Sequence, residues 1–223
     1  MTIKLFFGAI IKFLLGVLLV GLLVFLPAGS LSYLNGWIFM GVLFIPMFIA
    51  GIVMMFINPK LLQSRLDAKE KQKDQSLVIK LSGLMFIAGF IVAGLDYRFT
   101  FIKIPQEVSY IASLVFLLGY VLYGVVLKQN TYLSRTIKVE DEQKVISTGL
   151  YSVVRHPMYT ATIVLFLSMP LVLGSLVSFF IFLVYPILIA FRAVKEEQFL
   201  MKELPGYNEY LKKVKYRLIP FIW

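Results

Sequence analysis

Runs of about twenty apolar residues recur along this 223-residue chain, and no other feature narrows its folding options so far. The hydrocarbon core of a bilayer is roughly 30 Å thick, a distance that about 20 helical residues cross. With no water in that layer, each backbone N–H and C=O must find its partner within the segment, so such runs become helices. The fold class expected is all-α: a polytopic integral membrane protein. It should have about four full transmembrane helices, a C-terminal helical hairpin and a cytoplasmic amphipathic helix. With 60% of residues hydrophobic, too little polar chain is left for a soluble domain of the usual 50 or more residues. We therefore read 1–223 as a single domain, with four transmembrane helices in 1–127 and the functional region in 128–223.

The first run, residues 5–26, is longer than a signal-peptide core and is expected to be retained. It should end at Pro27, and a second helix should run from Trp37 to Ile57, stopped by Asn58-Pro59. Residues 60–76 carry five Lys or Arg and three acids and read as a solvated segment. Third and fourth helices are expected over Val78–Leu95 and Val108–Leu127. Beyond a long polar stretch, the apolar region from Met158 to Phe191 is interrupted by Pro170 and Gly174-Ser175. Halves of about 16 residues suggest a hairpin that returns the chain to the side it left. From Arg192 to Trp223, Leu200, Leu204, Tyr207, Leu211 and Val214 recur every three or four positions, as on an amphipathic helix broken at Pro205-Gly206.

A net charge of +10 could suggest nucleic acid, but its placement has a simpler cause. Only Arg98 and Lys103, of 22 Lys and Arg, fall on the proposed outer side, so both termini and the polar segments are expected in the cytoplasm. Nucleic acid is not an expected partner; membrane lipids are. The chain has no cysteine and one histidine, which excludes thiolate chemistry and leaves no basis for a metal site. No glycine-rich loop follows a strand, and no strand is expected, so a Rossmann domain is excluded.

The one histidine, His156, lies in GLYSVVRHPMY, residues 149–159, between Arg155 and Pro157 with Tyr151 and Tyr159 close by. A helix opening at 157 leaves N–H groups that suit a carboxylate or phosphate. Its proposed partner is FRAVKEE, residues 191–197, delivered by the hairpin. Arg192 and Glu196 share a helix face, and charges at a membrane boundary are costly unless they meet each other or a ligand. Glu197, a hundred degrees round, reads as solvated, and Tyr207 and Tyr210 as packing.

These strings resemble a known family. TGLYSVVRHPMY, about 30 apolar residues, then FRAVKEEQFLMKELPGYNEYLKKVKYRLIPFIW is similar to the isoprenylcysteine carboxyl methyltransferases and related phospholipid methyltransferases. NPKLLQSRL, AGLDYRF and KQNTYLSRT look like the bacterial branch, which implies a bacterial inner membrane. The resemblance implies a membrane enzyme dependent on S-adenosylmethionine that methylates a lipophilic small molecule or lipidated substrate, by O-methylation if the acceptor is a carboxylate. It implies a cofactor site of Gln143, Lys144, Val145, Ile146, Tyr151, His156, Pro157, Met158, Tyr159 and Glu196. Arg192 and Glu196 would be the catalytic pair, with Arg192 also binding substrate. The ending GYNEY…VKYRLIPFIW is similar to membrane sterol reductases as well, so an NADPH-dependent reductase is the rival expectation. A non-catalytic scaffold is the third.

Overall fold

The computed structural model describes residues 3–66, 73–130, 132 and 143–223, and among these the regular structure is helical. Helix α1 (Ile3–Ala28) and α2 (Leu34–Ile57) are followed by a short α3 (Pro59–Leu66). Then come α4 (Lys73–Phe99), α5 (Gln106–Gln129), a 3-10 turn at Gly149–Ser152, α6 (Pro157–Val172), α7 (Leu176–Phe182), α8 (Val184–Glu203) and α9 (Tyr207–Lys213). Five stretches are long and apolar enough to cross a membrane: Leu5–Ala28, Leu34–Ile57, Ser76–Phe99, Gln106–Gln129 and Leu176–Glu203. The outer surface is apolar: Leu14, Leu18, Ile49, Leu84 and Leu114 are all exposed. An apolar exterior of this extent is what lipid contact calls for.

Two sequence expectations about boundaries change. Pro27 lies inside α1, whose last residue is Ala28. Asn58 does end α2, but Pro59 immediately opens α3, where the missing N–H costs nothing. The Asn58 side chain accepts the Leu61 N–H at 3.1 Å, and Leu61 and Leu62 are buried, so this part of the 60–76 segment is an ordered helix. Residues 67–72, which hold much of its charge, lie outside the described residues.

The hairpin is present, but its arms are unequal. The outgoing arm is α6, with 16 residues; the returning stretch runs 28 residues from Leu176 to Glu203. It is longer than expected because nothing at Phe191-Arg192 breaks a helix, so α8 carries FRAVKEE straight out of the apolar layer. The separate amphipathic helix expected from Arg192 shrinks to α9, since its first part continues α8; the break falls at Pro205-Gly206 as expected, where Gly206 adopts a left-handed φ of 84°.

At the far end of the hairpin, buried polar contacts set its depth. Ser175 donates to Asp96 at 2.6 Å and accepts the Ser178 N–H at 3.1 Å; Ser178 donates to the Gly89 carbonyl at 2.8 Å. The Tyr33 hydroxyl donates to the Leu173 carbonyl. In apolar surroundings each such bond adds on the order of 0.6 kcal/mol, so close packing carries the rest. A Cβ at Gly94 would lie 2.5 Å from the Val24 carbonyl oxygen, so only glycine allows α1 and α4 this approach. Phe39, Phe90, Phe116 and Phe182 fill the centre, and one buried cluster runs from Val24 in α1 to Leu218 near the C terminus.

Candidate functional site

The residues before α6 are held by the last ten of the chain. Val154 pairs in parallel with Tyr216, the Arg155 N–H donates to the Tyr216 carbonyl at 2.9 Å, and the His156 N–H to that of Arg217 at 2.9 Å. Thr160 donates to the Leu218 carbonyl at 2.6 Å. Pro157 at the first helical position then pre-sets the helix. On the other side, the end of α5 supports the 3-10 turn. The Gln129 side chain accepts the Leu150 N–H at 2.9 Å, and Asn130 donates to the Tyr151 hydroxyl at 3.1 Å.

Two neighbouring glutamates on α8 serve different partners because successive helical residues point about 100° apart. Glu197 faces inward and is 4% exposed. It accepts from Arg155 Nε at 2.6 Å and Arg217 Nε at 2.9 Å, with His156 Nε2 at 3.2 Å. Arg155 also donates to the carbonyls of Val214 and Lys215, at 2.8 and 2.7 Å. Glu197 is therefore the centre of a buried charge cluster that ties α6, α8 and the C terminus together. This corrects the reading of Glu197 as solvated: Arg155, buried at the same level, needs a carboxylate, and Glu197 is the one within reach.

Glu196 points the other way. Tyr159 donates to its Oε2 at 2.5 Å and accepts from Arg192 Nε at 2.9 Å, so the tyrosine hydroxyl bridges the i, i+4 pair. The His156 ring stacks on Tyr159, with centroids 5.4 Å apart and planes 17° apart, and its Nδ1 is 3.9 Å from Glu196 Oε2. Tyr159, His156, Arg192 and Glu196 thus meet across the hairpin. The Glu196 carboxylate keeps 22% of its side chain exposed, so it can meet a ligand where Glu197 cannot.

Tyr151 is buried beside this group, and its carbonyl accepts from the Tyr210 hydroxyl at 2.7 Å. Burial pushes the phenols of Tyr151, Tyr207 and Tyr210 up, so all three stay protonated at neutral pH. Tyr207 pairs with Tyr210 as packing, ring centroids 5.6 Å apart, yet its buried hydroxyl has no hydrogen-bond partner among the described residues. Burial first, then the charges of Glu197 and Glu196, raise its phenol.

The remaining expected residues are spread more widely. Pro157 is fully buried, and Met158 sits with its sulfur 4.0 Å from Arg65. The helix start offers few spare donors, because Pro157 has none and the Tyr159 N–H turns back to the His156 carbonyl at 3.0 Å. Of the 143–146 segment, Val145 packs on Leu204, Tyr207 and Tyr210, and Lys144 is exposed. Arg135, Glu140, Asp141 and Glu142, charged residues of the long polar stretch before this segment, lie outside the described residues. Sequence reasoning missed Arg217 and Arg65. An arginine in a polar tail and another in a charged loop carry no local signal of what they reach.

Residues 108–205 match the phospholipid methyltransferase family. That stretch contains TGLYSVVRHPMY and the first part of the second string, FRAVKEEQFLMKELP, and the family is the methyltransferase group to which they pointed. A 91-residue segment, 40% of this chain, is 32% identical to the Delta(14)-sterol reductase of Mus musculus and covers 22% of it. The chain therefore aligns with about a fifth of that relative's length.

Proposed function

We propose, on the premise that residues 108–205 belong to the phospholipid methyltransferase family, that this protein is a membrane-embedded methyltransferase dependent on S-adenosylmethionine. The observation that carries the reading is the Tyr159 hydroxyl bridging Arg192 and Glu196, which joins the two halves of the family's motif at one point. The residues present fit such a cofactor. A partly exposed carboxylate beside stacked aromatic rings suits its cationic groups, and the buried Tyr207 hydroxyl, without a hydrogen-bond partner among the described residues, is a spare polar atom on α9. Glu196, Tyr151, His156, Pro157, Met158 and Tyr159 would hold it, with Gln143 to Ile146 closing over from the side of Tyr207. When bound, it supplies an electrophilic methyl group on a sulfonium centre.

What the chain contributes is positioning and exclusion of water. Glu197 locks His156 and Arg155, which fixes the α6 start; Tyr159 then holds Arg192 and Glu196 in register. Arg192 orients the acceptor, and a carboxylate acceptor suits it because guanidinium binds that group in two parallel hydrogen bonds and no base is required. The acceptor is lipophilic and arrives from the bilayer. We assign the site and both termini to the cytoplasmic face from the charge distribution, and the protein to a bacterial inner membrane from its motifs.

Equilibrium binding to detergent-solubilised protein tests the reading. S-adenosylhomocysteine should bind and NADPH should not. The sterol reductase likeness supports the rival, an NADPH-dependent reductase, and NADPH binding alone would establish it instead. Incubation with methyl-labelled cofactor and a total lipid extract should then give a labelled lipid product.

A further inference from the structure

Arg65 lies at the C-terminal end of α3, outside both motif strings, yet it reaches the site. Its Nη2 donates to the Tyr123 hydroxyl of α5, its Nη1 faces Met158 Sδ at 4.0 Å, and its Cζ stands 5.5 Å from the Tyr123 ring centroid. The helix that presents it is anchored: Asn58 caps its start, Leu61 and Leu62 are buried, and Lys12 of α1 donates to the Leu66 carbonyl at 2.8 Å. Among the described residues no carboxylate lies within ion-pair distance of this guanidinium.

A guanidinium has five N–H donors, and among the described residues one meets a phenol and another a thioether, which is a weak acceptor. A half-buried cation served in this way is costly unless an anion joins it. Its location says which anion. Met158 adjoins Tyr159, the residue that bridges Arg192 and Glu196. Burial raises the Tyr151 phenol, its hydrogen bond from Asn130 lowers it, and Glu196 and Arg65 then act on it in opposite directions.

We propose that Arg65 is an acceptor-binding residue that, together with Arg192, holds an oxyanion on the head of the lipophilic acceptor. The oxyanion is either the carboxylate to be methylated or the phosphate of a phospholipid whose other group takes the methyl. This rests on the methyltransferase reading above and extends its substrate site to α3.

The test uses the full chain in uncharged detergent, with laurate, dodecyl phosphate and dodecanol as probes and S-adenosylhomocysteine as a separate ligand. Wild-type protein should bind an anionic probe more tightly than dodecanol, and preference between laurate and dodecyl phosphate identifies the oxyanion. Arg65→Ala should weaken the anionic probe at least about ten-fold, as loss of a charge-assisted contact does. Dodecanol and S-adenosylhomocysteine should be unaffected, and Arg65→Lys should recover part of the loss. Tyr123→Phe, which removes only the hydroxyl partner, should keep anion binding within a few-fold. The proposal fails if wild-type protein does not distinguish anionic from neutral probes. It also fails if Arg65→Ala changes nothing, or if it lowers affinity for all four ligands together, since that is a structural role. Failure of the methyltransferase reading appears separately, as no S-adenosylhomocysteine binding by wild-type protein.

Discussion

Glu197 and Glu196 differ by one position and by nearly everything a side chain experiences. Glu197 is enclosed by Arg155, His156 and Arg217, whereas Glu196 meets one hydroxyl and an opening. Removing the charge from Glu197 leaves the buried Arg155 uncompensated, so Glu197→Gln should destabilise the fold by about 3–5 kcal/mol. Glu196→Gln should leave the melting temperature in detergent nearly unchanged and lower the affinity for S-adenosylhomocysteine; thermal denaturation and binding measured on both variants separate the two roles. Tyr207 offers the reverse case. Its buried hydroxyl lacks a partner among the described residues, and a polar group buried without one costs about 1–3 kcal/mol. Tyr207→Phe should therefore melt no lower than wild type, and a clear loss of stability would show that the hydroxyl is satisfied after all.

At the scale of elements, the site depends on how the 3-10 turn and α5 fit together. Gly149 has a φ of 60°, and a Cβ there would come within 2.5 Å of the Gln129 side-chain amide, the group that holds Leu150. Gly149→Ala should cost about 1–2 kcal/mol from the backbone alone, and more from that collision. It should weaken S-adenosylhomocysteine binding through Tyr151. Gly8→Ala is the control, since α1 has open space there and alanine is the better helix former. Ser147, Thr148 and Gly149 mark this turn in the sequence, as residues that favour turns and helix caps. Its support was not legible there, because Gln129 and Asn130 lie some twenty residues away and nothing local to them announces the contact.

For the molecule as a whole, the C-terminal segment completes the site by backbone contacts. Carbonyls of Val214, Lys215, Tyr216, Arg217 and Leu218 receive donors from Arg155, His156 and Thr160. Deleting residues 214–223 should leave a membrane-inserted protein, since all five candidate spans remain, but abolish S-adenosylhomocysteine binding; retained affinity would show that the α6 start holds without the tail. The helical class and four of the five spans were legible in apolar runs of bilayer length, which admit only one satisfied backbone, and Gly174-Ser175 marked the reversal of the hairpin; the length of its returning arm was not legible. The expected meeting of RHPMY and FRAVKEE across the hairpin is seen in Tyr159, His156, Arg192 and Glu196. Which glutamate is buried and which is partly open, that Arg217 joins the cluster around Glu197, and that Arg65 reaches Met158 emerge from the packing of the helices. Those outcomes depend on helix rotation and on contacts between residues 20 to 93 positions apart, and a change of 100° about a helix axis leaves the apolar pattern of the sequence almost unaltered.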